Sequence, residues 1–188
     1  MSKYPWYEVV EGEDLEQGDI LFQCPVLKPA PEWMIDDFQQ GEIPTLIEIV
    51  DAVVMTQSCD LANEKVTEVL LCGHWDLQQA TAYDRTLADK GKRRQILNGQ
   101  VYRYTFLADS QHPERPMGVR IVDFGYVFTL PKLIVRQLAR MQGKRLRLCP
   151  PYREHLAQAF ARFFMRVGLP QQYSCLSRSV IAFDTQAR

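Results

Sequence analysis

Between Leu46 and Gln57 the chain carries an almost unbroken apolar run in which Ile47, Ile49, Val53 and Val54 are β-branched. Such side chains are crowded in a helix and pack well on a pleated surface. A run this continuous therefore reads as a central strand. A central strand requires neighbours on both sides, and the chain has candidates for them. Asp19 to Cys24 is introduced by Gln17-Gly18 and stopped by Pro25. Val66 to Cys72 follows the central run, with Asn63-Glu64-Lys65 suited to a hairpin connection. Val101 to Leu107 alternates Tyr and Phe with polar residues, Val119 to Leu130 bends at Gly125, and Arg145 to Cys149 is the last strand.

Helical signals are fewer. Asp76 to Leu97 is helical with an interruption at Gly91 and an end at Asn98-Gly99, and Leu133 to Met141 ends at Gly143. The clearest helix opens at Pro150-Pro151. Its Leu156, Phe160, Phe163, Phe164 and Val167 share one face, and Gly168 and Pro170 close it. Lys28 to Pro44, with Trp33, Met34, Ile35 and Phe38, reads as a loop with a short helical turn. The expected fold is α+β and mainly β, in one domain over residues 1–188. It comprises a small SH3-like β-barrel over about 17–149 with a helical insert at 75–98, and a C-terminal amphipathic helix over 151–167.

At 188 residues the chain can bury a full core without disulfides or metals. Its five cysteines, Cys24, Cys59, Cys72, Cys149 and Cys175, are odd in number and scattered, and Met1 to Trp6 lacks the apolar run of a secretory signal. Reduced thiols and a cytoplasmic location are expected. No stretch of about 18 apolar residues is present, so no membrane span is expected. There is no P-loop, G-x-G-x-x-G or G-x-S-x-G, which argues against nucleotide hydrolysis and α/β-hydrolase chemistry. No cofactor and no metal are expected.

The net charge of −1 conceals a strong asymmetry. Met1 to Ala80 carries 3 Lys/Arg against 16 Asp/Glu, and Thr81 to Arg188 carries 19 against 7. Either the halves neutralise each other inside one fold, or the basic half keeps an exposed face for an anion or nucleic acid. Lys90, Lys92, Arg93 and Arg94 are the densest basic cluster; Arg136, Arg140, Lys144, Arg145 and Arg147 are the second. Tyr102, Tyr104 and Phe106 beside Lys92, Arg93, Arg94 and Arg103 would combine base stacking with phosphate contacts.

The central run leads into Thr56-Gln57-Ser58-Cys59-Asp60, where small polar groups surround a thiol at a strand end. Gln57 and Ser58 are candidate ligand-binding residues. Cys59, Asp60 and His74 are candidate catalytic residues, with Cys59 as a nucleophile. The alternative is that Thr56, Ser58 and Asp60 bond backbone groups in a turn while Cys59 is a small buried hydrophobe. Cys59, Cys72, His74 and His112 are also types that zinc takes, but no paired C-x-x-C motif accompanies them.

The order of signals resembles the MazF/PemK toxin-like family of small SH3-like barrels. Gln17-Gly18-Asp19-Ile20-Leu21 resembles that family's opening strand, Asp51 to Thr56 its second and Val66 to Leu71 the next. Tyr126 to Lys132 is similar to the strand leading into the family's short helix, and Val167-Gly168-Leu169-Pro170 is similar to the end of its closing helix. The resemblance implies a homodimeric endoribonuclease cleaving single-stranded RNA. The family's Arg-Pro before the second strand is replaced here by Glu48 to Asp51, and its catalytic Thr falls near Gly73 or His74.

Three functions are therefore expected as alternatives. One is a nucleic-acid or protein interaction module of toxin- or defence-associated type, with RNA, a partner protein or a second copy as partner. Another is a PemK-like endoribonuclease. The third is a Cys59-dependent thiol enzyme.

Overall fold

The computed structural model describes residues 4–30 and 44–165. Strand outweighs helix, as the mainly-β α+β expectation requires. The strands are β1 (Tyr7–Val10), β2 (Ile20–Pro29), β3 (Thr45–Val54), β4 (Glu68–Asp76), β5 (Tyr104–Leu107), β6 (Arg120–Pro131) and β7 (Arg145–Leu148). The helices are α1 (Ser58–Ala62), α2 (Leu77–Tyr83), α3 (Lys90–Leu97), α4 (Lys132–Gln142) and α5 (Tyr152–Phe164), with a 3-10 turn at Arg85–Ala88. Val167, Gly168 and Pro170, expected at the end of α5, and the Trp33 to Phe38 turn lie outside the described residues.

Five strands form one antiparallel sheet in the order β2-β3-β4-β6-β5, and β1 and β7 form a second. β3 has a neighbour on each side only at Ala52–Val54, where it is buried; its first half pairs with β2 alone and exposes Leu46, Ile47 and Ile49, so the expectation of a central strand over the whole run is corrected to its second half. The sheets meet where Asp19, just ahead of β2, bridges Arg147 of β7. This leaves β1 and β5 as the two ends of one curled surface. They do not pair, so the expected closed barrel is corrected to an open, curled sheet. Both end strands have only four residues. What crosses the gap between them is a side chain: the Tyr7 hydroxyl donates to the Ala108 carbonyl at 2.8 Å.

Several local expectations change with the same physics. β2 runs through Pro25 to Pro29 because it is an edge strand, where one side carries no ladder and proline is tolerated. A bulge at Leu21/Cys24 places Gln23 at φ +56°. The β3–β4 connection contains α1 and is not a tight hairpin. The helical insert breaks at Asp84 and Asp89, not at Gly91, because each aspartate caps the element after it: Asp84 accepts from the Thr86 N–H and Asp89 from the Lys92 N–H. Asp76 starts α2 in a capping box with Gln79. Gly73 is required in β4, since a Cβ there would sit 2.4 Å from the Trp75 ring.

Three apolar clusters hold the layers together. Leu21, Leu71, Val69 and Leu130 pack under Val135 and Ala139 of α4. Ile20, Val53, Val122 and Phe124 pack under Leu156 of α5, with Phe160 and Phe163 at the margin. Leu87, Ile96, Tyr104 and Ile121 join the helical insert to the outer face of β5 and β6. Burying each large aliphatic or aromatic side chain contributes about 1.5–3 kcal/mol.

The charge asymmetry is largely absorbed by this packing. Asp19 is fully buried and receives Arg145 Nε at 3.0 Å and Arg147 Nη2 at 3.0 Å. Glu16 receives Arg147 and Arg153 at 2.7 and 3.0 Å, and Asp51 receives Arg120 at 3.4 Å. Glu64 receives Lys132 at 2.7 Å and Arg136 at 2.8 Å. Each of these pairs joins the acidic half to the basic half. α3 is not absorbed in this way: among the described residues no ion pair involves Lys90, Lys92, Arg93 or Arg94, all of which belong to it.

Candidate functional site

The sequence candidates fall in three places. Gln57, Ser58, Cys59 and Asp60 stay together at the start of α1, beyond the end of β3. Most of the polar groups there serve the backbone: Thr56 Oγ1 accepts from Leu70 N–H at 2.7 Å and Ser58 Oγ from Gln17 N–H at 3.1 Å. Cys59 is exposed, so it is not the buried hydrophobe of the bland reading. Its Sγ lies 3.6 Å from Gln57 Oε1 and 3.7 Å from Asp60 Oδ1. Both neighbours are oxygens.

His74 lies elsewhere. Val54 ends β3 opposite Leu71, and His74 is three residues further along β4, away from α1. Three residues of strand span about 10 Å. The imidazole is fully buried, edge-on to Phe22 with centroids 5.7 Å apart, and neither ring nitrogen has a hydrogen-bond partner. Burial, reinforced by the Arg120 guanidinium, pushes its pKa down to about 3. It is a neutral core group with no access to solvent. Cys72 is buried too, its Sγ 3.1 Å from the Asp123 carbonyl oxygen, and His112 is exposed. Among the described residues no three His, Cys, Asp or Glu side chains converge as metal ligands do.

The stacking-and-phosphate set is divided. Tyr104 is buried and its hydroxyl donates to Asp84 at 2.8 Å. Arg103 makes a two-point contact with Asp123 at 2.9 and 2.8 Å, which raises the guanidinium pKa still further. Tyr102 and Arg94 are exposed, while Lys92 and Arg93 are half-buried.

A cleft that no local sequence signal marks as a whole opens along the seam. It has a volume of about 740 Å³. One wall is a continuous stretch of backbone, Thr105 to Asp109. Side chains alternate across a strand, so a cavity meeting only one face of β5 would touch every second residue; contact with Thr105, Phe106 and Leu107 in succession means the cleft follows the strand's edge, and Ala108 and Asp109 carry it past the strand's end. Arg93, Ile96 and Leu97 of α3 form the second wall, and Tyr152, His155, Leu156 and Ala159 of α5 the third. Trp6 also lines the cleft, stacked on Tyr152 with centroids 3.9 Å apart and planes 11° from parallel. Apolar atoms dominate the surface, as in most ligand sites. The available signal was Phe106 in an alternating strand together with Arg93 and Ile96 on one helical face; nothing local indicated that β5 would be a free end.

No protein-family model matches the chain, and no curated protein matches it significantly. No helix among the described residues is long and apolar enough to cross a membrane.

Proposed function

We propose that the protein is a non-catalytic interaction module that holds a segment of a partner protein in the seam cleft. One observation carries this reading: three consecutive residues of an end strand, Thr105 to Leu107, and the two that follow it line an apolar cleft between two helices. Arg93, Asp109 and His155 border it, and no hydrogen bond joins any two of them. A catalytic constellation instead links its nucleophile, base and orienting group. Cys59 and His74, the residues a thiol or RNA-cleaving mechanism would need, lie outside the cleft. Tyr104 and Arg103, which a nucleic-acid surface would use, are occupied with Asp84 and Asp123.

Panning a random-sequence peptide library on the protein tests the reading. Leu97 is 71% exposed at the cleft wall, so Leu97→Asp alters the cleft without disturbing the core. Enriched peptides that lose about tenfold in affinity for the Leu97→Asp variant, or about 1.4 kcal/mol, support the proposal. It is rejected if no peptide is enriched or if enriched peptides ignore Leu97→Asp. It is also rejected if a single-stranded RNA oligonucleotide binds in a Leu97-dependent manner, or is cleaved.

A further inference from the structure

We propose that the segment held in the seam cleft binds as an added β-strand on the free edge of β5, and that it alternates apolar with acidic side chains. This rests on the reading of the cleft as a protein-docking site and adds its mode of recognition.

The ladder between β5 and β6 fixes which backbone groups are available. The Phe124 N–H donates to the Arg103 carbonyl at 2.8 Å, and the register continues as Tyr104↔Asp123, Thr105↔Val122, Phe106↔Ile121 and Leu107↔Arg120. Hydrogen-bonded and non-hydrogen-bonded pairs alternate in an antiparallel ladder. Thr105 and Leu107 therefore turn their backbone groups toward β6, while Tyr104 and Phe106 turn theirs away. Phe106 and its neighbours line the cleft, and the register turns its N–H and C=O away from β6, where no other strand among the described residues lies beside β5. Backbone groups at a half-buried position are normally paired, and an extended chain laid along the edge would pair these. At about 3.3 Å per residue the lined stretch accommodates a segment of about five residues. The added strand would lie along β5 at Phe106, on the side that faces β1, and would stop short of the Ala108 carbonyl, which already accepts from Tyr7.

The walls specify the side chains. On one side the strand meets Leu156 and Ala159 of α5, which suit apolar groups. On the other it meets α3, where Arg93 lines the cleft and Lys90, three residues earlier, shares its stripe. Lys92 and Arg94 stand on the same short helix, and none of the four cations is ion-paired among the described residues. Asp109 is the one acidic residue on the cleft wall. A strand alternates its side chains between two faces, so carboxylates toward α3 and apolar groups toward α5 satisfy both walls at once.

The probe is a synthetic six-residue peptide of alternating valine and glutamate with blocked ends, titrated into the full chain by calorimetry, with amide exchange followed by NMR. Binding is expected, with the Phe106 N–H exchanging at least about tenfold more slowly. N-methylation of one alternate set of peptide amides should abolish binding, and methylation of the other set should not, because only one set faces β5. Lysine in place of glutamate, or Lys92→Glu with Arg94→Glu in the protein, should weaken binding about tenfold or more. If both methylated peptides bind as well as the parent, or the Phe106 amide is unaffected, strand addition is wrong while docking in the cleft stands. If the lysine peptide binds equally well, the acidic preference is wrong. If neither this peptide nor any library peptide binds in a Leu97-dependent way, the docking reading itself falls.

Discussion

Tyr7 and Ala108 join the two ends of the curled sheet by one hydrogen bond, from the phenol to the backbone carbonyl at 2.8 Å. β1 and β5 approach each other there without forming a ladder. Tyr7→Phe removes the donor and keeps the ring, so a loss of about 0.5–1.5 kcal/mol is expected from urea unfolding. Amide exchange along residues 105–109 should quicken as the seam loosens. Unchanged exchange there would show that the bond does not hold the seam.

The ion cluster around Asp19 is a larger element of stability. Arg145 and Arg147 both converge on this fully buried carboxylate, and Arg145 also donates to the carbonyls of Gly12, at 2.6 Å, and Asp14. Asp19→Asn keeps the shape and removes the charge, leaving two buried guanidinium groups undercompensated. The expected cost is about 3–5 kcal/mol. Glu16, with its side chain 40% exposed, joins the same arginines from the rim. Glu16→Gln should cost under about 1 kcal/mol. Equal losses in the two variants, read from denaturant midpoints, would contradict this division between buried and rim charge.

His74 makes stability depend on pH. Its pKa is about 3 in the folded chain and about 6.5 when unfolded. Above pH 6.5 both states are neutral and the group contributes no slope. As pH falls below 6.5 the unfolded chain takes up a proton that the folded chain refuses, so stability is lost progressively down to about pH 3. The buried His74→Met variant, which cannot titrate, should show a shallower loss between pH 6 and 4. The nearby Arg120–Asp51 pair is retained in both proteins. Parallel pH–stability curves would show that His74 is not the titrating group.

Thiol labelling should separate the cysteines. Cys59 is exposed, whereas burial pushes the Cys24 thiol up to about 12 and raises that of Cys72 as well. Under native conditions iodoacetamide should modify Cys59 before Cys24 or Cys72, as read by peptide mass mapping. The alkylated protein should bind the alternating peptide unchanged, because Cys59 lies outside the cleft. Loss of binding on Cys59 modification would place the site at α1 instead.

Most of the elements were legible in the sequence because their signals are local. β-branched density marked β3, helical spacing of Leu156, Phe160 and Phe163 marked α5, and Gly143 marked the end of α4. Gln57, Cys59 and Asp60 stayed neighbours because they are neighbours in the chain. Burial and pairing over long separations could not be read the same way. Alternation assigns a side chain to one face of a strand, but the element covering that face comes from elsewhere in the chain. His74 is therefore a sealed core group, and Tyr104 turns to Asp84 instead of solvent. Pairing decided where the seam lies: β5 carries one ladder, with β6, and among the described residues no strand pairs with its other edge. The residues themselves determined that the chain would form a twisted, mainly-β sheet with an amphipathic closing helix. Only the summed geometry of seven strands determined where that sheet would stop short of closing, because closure depends on the lengths and offsets of all of them together.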